Sequence, residues 1–224
     1  MAEKSSVFDM IGPVMIGPSS SHTAGVVRIA HAAISILGDV PDHAEITFYN
    51  SFARTYEGHG SDKAVVAGLL GYDTDDARIR DAFEQAKIAE LKYQFKSIGN
   101  ASTHHPNTIT LTLTKGNKTV YILGESRGGG VINIGEVDGF KSHFSAALHT
   151  LIVKADDTKG SIAFIANVLS QADCNIATMS VSRKGKHDLA CQIIEADSAI
   201  NQPTIDYLNS LSWIKEVTYV PNIT

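Results

Sequence analysis

The chain has 224 residues, 43% hydrophobic and 19% charged, with 19 Lys+Arg against 24 Asp+Glu for a net charge of -5. That length and balance admit one large or two ordinary globular domains and exclude global disorder, and the mild acidity excludes the electrostatic footprint of a general nucleic-acid binder. Two cysteines, Cys174 and Cys191, exclude a disulfide framework, a four-thiolate zinc site or a self-sufficient iron–sulfur site. The start Met1-Ala2-Glu3-Lys4 lacks a targeting pattern, and apolar stretches such as Ala64 to Leu70 are too short to span a bilayer. A soluble cytoplasmic protein is therefore expected, with neither membrane nor nucleic acid as partner.

In chain order, Ser21 to Leu37 predicts a helix, with Val26, Ile29, Ala30, Ala33, Ile34 and Leu37 at helical spacing and Gly38 as its stop. Ala44 to Phe52 alternates and predicts a strand. Asp62 to Leu70 predicts a short buried helix, and Asp75 to Gln94 a longer one with acids in its first turn. The period then changes. Thr108 to Thr114 sets Ile109, Leu111 and Leu113 against threonines, Lys115-Gly116-Asn117 is a hairpin turn, and Lys118 to Arg127 is the return strand. Gly128-Gly129-Gly130 breaks it, and a further strand runs to Val137.

A fresh pattern starts near His149. It reads as strand His149 to Ala155, helix Ser161 to Gln171, strands Asn175 to Arg183 and Asp188 to Glu195, helix Pro203 to Ser210 and strand Val217 to Val220. That β-α-β-β-α-β order is the ferredoxin-like arrangement. The expected fold is α+β or mixed α/β, with domains at 1–148 and 149–224.

Four clusters look chemical. Gly17-Pro18 is followed by Ser19, Ser20, Ser21, His22 and Thr23 at the start of the first helix. Orphan N–H groups, the helix dipole and hydroxyl donors there suit a carboxylate or phosphate; an ordinary polar cap is the simpler alternative. His59 lies between Gly58 and Gly60, just ahead of Ser61, in Glu57–Lys63. Glycines allow close backbone approach and histidine suits proton transfer, but a flexible turn capped by Ser61 explains the same residues. His104-His105-Pro106-Asn107 precedes a strand; Asn107 can hold an oxygen-bearing group, or the segment is a polar loop. Asp156, Asp157, Thr158 and Gly160 lie between a strand and a helix and make either a small-ligand loop or a plain turn. The cysteines read as small core residues.

At these residues the sequence closely resembles the beta chain of two-chain, iron–sulfur-dependent L-serine dehydratases. The resemblance covers essentially the whole chain. It rests on Ser6 to Met10, Ile16 to Gly25, Gly58 to Ala64 and His105-Pro106-Asn107. The first domain then resembles the allosteric substrate-binding domain of some phosphoglycerate dehydrogenases, and the second resembles an ACT domain with Asp156-x-x-x-Gly160 as ligand loop. The resemblance implies a lyase active only with an alpha subunit. That subunit would bind a [4Fe–4S] cluster and eliminate water from L-serine, giving pyruvate and ammonia; this chain itself would hold no metal. It also implies His59 and His105 in proton transfer or substrate orientation, with the choice of base open. Ser61 and Asn107 would hold the serine carboxylate or amino group, and Ser19, Ser20, Ser21, His22 and Thr23 would form an anion-binding helix end. A small-molecule or ion effector and an ACT-mediated homodimer are further implications. A regulatory amino-acid sensor with no catalytic role is the alternative.

Overall fold

The computed structural model describes residues 12–101 and 103–223, so Ser6 to Met10 lie outside the described residues. The chain divides into two compact units between Asp138 and Gly139.

In the first unit, α1 (Ala24–Leu37) is buried nearly all round, because its small residues let neighbours approach on several sides. Gly38 ends it at φ 95, donating its N–H to the Ile34 carbonyl. Strand β1 (His43–Tyr49) buries Ala44, Ile46 and Phe48 on one face. The sequence reading carried this strand on to Phe52. Instead Asn50, at φ 51, turns the chain into a short helix, α2 (Asn50–Thr55). Helix α3 (Ser61–Leu69) crosses α1 closely at Gly68, where a Cβ would stand 2.7 Å from the Ala30 Cβ and 2.9 Å from the Val27 carbonyl oxygen.

The single helix expected over 75–94 is not present. A 3₁₀ turn (Ala77–Asp81) leads to α4 (Ala82–Ile88), and Glu90 at φ 57 reverses the chain into β2 (Lys92–Ile98). The acids at the start of this stretch suit a helix, but Tyr93 and Phe95 alternate with Gln94 and Lys96. Pairing parallel to β1 along its whole length gives that alternation a ladder to join. Strands β3 (Thr108–Lys115), β4 (Lys118–Gly128) and β5 (Val131–Val137) form the expected antiparallel meander. Within this unit the strand order is β2-β1-β3-β4-β5.

The second unit opens with a strand that the sequence reading missed, β6 (Phe140–Phe144), which packs on β8 and β9. The βαββαβ order then appears as expected. It runs β7 (His149–Asp156), α5 (Ser161–Gln171), β8 (Ile176–Arg183), β9 (Leu189–Ala196), α6 (Gln202–Asn209) and β10 (Ile214–Val220). The antiparallel sheet order is β10-β7-β9-β8, as a ferredoxin-like fold requires. Its core sets Leu151, Val153 and Ile194 of the sheet against Ile165, Leu169 and Leu208 of the helices.

Candidate functional site

The short helix α2 is the mount of the site. At its C-terminal end, the Thr55 hydroxyl donates to the Ser51 carbonyl at 2.8 Å, which uses its one proton. Thr55 Oγ1 also lies 3.0 Å from His22 Nε2, so the histidine must be the donor there. His22 Nδ1 is then the acceptor, facing the hydroxyls of Ser21 at 3.1 Å and Ser19 at 3.3 Å. The ring packs edge-on to Phe52, with centroids 4.8 Å apart, and lies 4.6 Å from the His59 ring. Burial, and then the nearby His59, hold the His22 pKa below its usual value, so His22 is neutral at pH 7.

His59 is presented differently. Its backbone N–H donates to Thr55 O at 2.9 Å, closing α2, and Gly60 follows at φ 71. The imidazole is exposed, and its ring nitrogens have no hydrogen-bond partner among the described residues.

The other end of α2 carries the third histidine loop. Asn50 Nδ2 donates to the carbonyls of Ala101 (2.9 Å), His104 (3.0 Å) and His105 (3.4 Å), and its Oδ1 accepts from the Ala101 N–H at 2.7 Å. Ser51 N–H donates to Pro106 O at 2.9 Å. His105 Nδ1 accepts from the Asn107 N–H at 3.2 Å, which leaves its proton on Nε2. Burial lowers its pKa, Arg127 nearby lowers it further, and Glu125 opposes. Glu125 is itself engaged by Arg127 at 2.5 Å and by Asn133 Nδ2 at 3.1 Å. His104 stacks edge-on to Tyr49, with centroids 5.0 Å apart. The six residues of α2 span about 8 Å at 1.5 Å per residue. The His22–His59 pair and the His105 loop are thus fixed to opposite ends of one short rigid rod.

The serine-rich loop is more self-satisfied than a simple anion-binding helix end. Thr23 N–H already bonds Ser19 O at 2.8 Å, and Gly25 N–H bonds Ser20 O at 2.9 Å. Ser20 Oγ accepts from the Gly129 N–H at 3.2 Å, which joins this loop to the triple-glycine turn after β4. Gly128, Gly129 and Gly130 all have positive φ, a path that glycine follows without strain. Arg28 Nη1 donates to Gly130 O at 2.8 Å. Three hydroxyls around this region, those of Thr23, Ser61 and Ser126, are buried without a hydrogen-bond partner among the described residues. Ser61 is wholly enclosed at the start of α3 rather than open at the surface. The amide of Asn107 makes no hydrogen bond among the described residues; only its backbone is engaged, its carbonyl accepting from Ser126 N–H at 3.0 Å.

In the second unit the acids of the 156–160 loop have partners. Asp156 pairs with Lys215 at 2.8 Å. Asp157 accepts from the His187 N–H at 3.1 Å and pairs with Arg183 at 3.1 Å, contacts that hold its pKa below the usual carboxylate value. Gly160 caps α5 at φ 88, and Thr158 O accepts from Ser161 N–H.

Sequence reasoning missed Asn50, Thr55 and the glycines at 128–130 as working parts. A left-handed residue between a strand and a short helix has only a faint signal. The Gly-Gly-Gly run was visible but read as punctuation.

The donors present do not suit a cluster. Cys174 belongs to the helix-side core of the second unit, while Cys191 lies on the face of β9 shared with Ile193, opposite Ile194. Two thiols on opposite faces of one sheet cannot share a four-thiolate group. Among the described residues no three His, Cys, Asp or Glu side chains are placed to hold a metal ion, and no helix is long and apolar enough to cross a membrane.

Residues 6–136 match the family described as serine dehydratase beta chain. A probable L-serine dehydratase beta chain from Bacillus subtilis is 42% identical, covering 96% of this chain and 97% of the relative. The L-serine dehydratase beta chain of Peptoniphilus asaccharolyticus is 33% identical, covering 88% and 89%. A D-3-phosphoglycerate dehydrogenase of Bacillus subtilis is 27% identical over 72% of this chain and 29% of its own length. Among solved structures, the ACT domain of a Chlorobium tepidum GTP pyrophosphokinase aligns over 32% of this chain and 95% of its own, at 21% identity and a TM-score of 0.26.

Proposed function

Because the chain belongs to the serine dehydratase beta-chain family, and its function is that of an L-serine dehydratase beta chain, we propose that its histidine loops perform proton transfer and substrate orientation in the elimination of water from L-serine. The observation that supports this most is the pair of histidine mounts on α2. Loss of the Cα proton and the hydroxyl gives aminoacrylate, which tautomerises and hydrolyses to pyruvate and ammonia. His59, exposed and with ring nitrogens that have no partner among the described residues, is the group that accepts the Cα proton. His105, neutral and with Nδ1 occupied, donates from Nε2 to a substrate oxygen and orients it. Asn107 and the Ser19–Thr23 loop hold the carboxylate and amino groups, assisted by Ser61, whose enclosed hydroxyl at the start of α3 has no partner among the described residues.

The family context is iron–sulfur dependent, and this chain's two thiols do not fit a cluster. The cluster ligands therefore fall to an alpha chain, and catalysis requires both chains. The 149–224 segment is an ACT module that pairs with a second copy and takes a small effector at Asp156–Gly160. The edge position of β8, with Val181 exposed, and the exposed Ile162 and Phe164 of α5 support the pairing. The relatives' names favour the enzyme subunit over a purely regulatory sensor.

The test is reconstitution. Anaerobic co-expression with an alpha chain should give a complex that forms pyruvate from L-serine, with neither chain active alone. Full activity of the alpha chain by itself would leave this chain a regulatory part only.

A further inference from the structure

The first unit has a cleft of about 350 Å³ whose lining includes Ile16, Gly17, Thr23, Lys63, Ile79 and Arg80. Its charge is one-sided. Lys63 and Arg80 both line it, and no carboxylate does among the described residues. Lys63 Nζ spends one proton on the Arg80 carbonyl at 2.9 Å, leaving two, and the Arg80 guanidinium has no partner among the described residues. The wall is close-packed: Thr23 is 1% exposed, and a Cβ on Gly17 would fall 2.0 Å from its Oγ1, so only glycine fits the lining there.

We infer that this cleft binds a small monocarboxylate that carries no ammonium group. The two cations receive the carboxylate, and Ile16 and Ile79 cover a short hydrocarbon body. A free amino acid is disfavoured, because its ammonium would stand beside Lys63 and Arg80 with no acid among the described residues to receive it. The cleft thus differs from the histidine site in the ligand it takes, although Gly17 and Gly60 of its lining adjoin the loops of that site. The 2-oxo acid released by serine dehydration belongs to the preferred class. Choosing pyruvate as a probe rests on the dehydratase reading, whereas the site itself does not.

Calorimetric titration of the full chain with pyruvate, propionate and L-serine tests the inference. Both acids should bind at one site more tightly than L-serine. Lys63→Gln and Arg80→Gln should each weaken the acids by about tenfold, some 1.4 kcal/mol, while Arg80→Lys retains binding and His59→Ala leaves it unchanged. Propionate bound with pyruvate refused would support the cleft and count against the dehydration product as its ligand. No binding of either acid, binding that survives both glutamine variants, or binding lost in His59→Ala would overturn the inference.

Discussion

Asn50 holds the His104–His105 loop through its side-chain amide while its own backbone sits at φ 51. The two roles separate by substitution. Asn50→Gly keeps the left-handed backbone at no steric cost but removes the amide. It should destabilise the chain by about 1–3 kcal/mol and lower kcat by roughly tenfold to a hundredfold through misplacement of His105. KM should change less, and the pH profile of kcat should shift. Equilibrium denaturation and steady-state kinetics of the two-chain complex check this; an unchanged kcat would remove Asn50 from the positioning role. At the other end of α2, the Thr55 acceptor fixes the His22 tautomer. Nitrogen-15 NMR at pH 7 should find Nε2 protonated and Nδ1 bare, and Thr55→Val should mix the two forms.

At the scale of elements, α1 and α3 depend on a close approach. Gly68→Ala would push a methyl against the Val27 backbone, which cannot yield as a side-chain end can. A loss of about 1–3 kcal/mol is expected, read by urea denaturation; a neutral result would mean that the helices separate freely. The pairing proposed for the second unit predicts that Val181→Lys on edge strand β8 lowers the mass measured by light scattering from dimer to monomer. The second unit was almost fully legible in the sequence, since its helices and strands each follow one clean period between turn residues. The meander of β3 to β5 was legible for the same reason. The stretch over 75–94 was not: its period is helical only as far as Ile88, and β2 exists because β1 offers it a parallel partner, a long-range cause. The histidine loops were visible as chemistry, but what fixes them was not. Asn50 and Thr55 act through backbone carbonyls and a tautomer, which leave no compositional trace.

For the whole molecule, three histidines share one pH signature. Burial lowers the pKa values of His22, His31 and His105 below their ordinary 6.5. His31 also donates to the Tyr72 carbonyl at 3.0 Å. Between their folded values and 6.5, the unfolded chain binds more protons than the folded one, so stability rises with pH there. Their contribution is complete above about pH 6.5 and is lost as pH falls through the folded values. Thermal unfolding against pH should show a plateau at neutral pH and a decline on the acid side, made shallower by His31→Gln. A Tm that climbs steadily as pH drops from 7 to 5 would contradict the assignment.

The proposed histidine chemistry of this chain is tested most directly by the rate of pyruvate formation from L-serine in a reconstituted two-chain complex carrying His59→Ala or His105→Ala. Intact complexes with kcat reduced by about a hundredfold or more in each variant are expected. Intact complexes that turn over L-serine at the unmodified rate in both variants would take His59 and His105 out of the reaction.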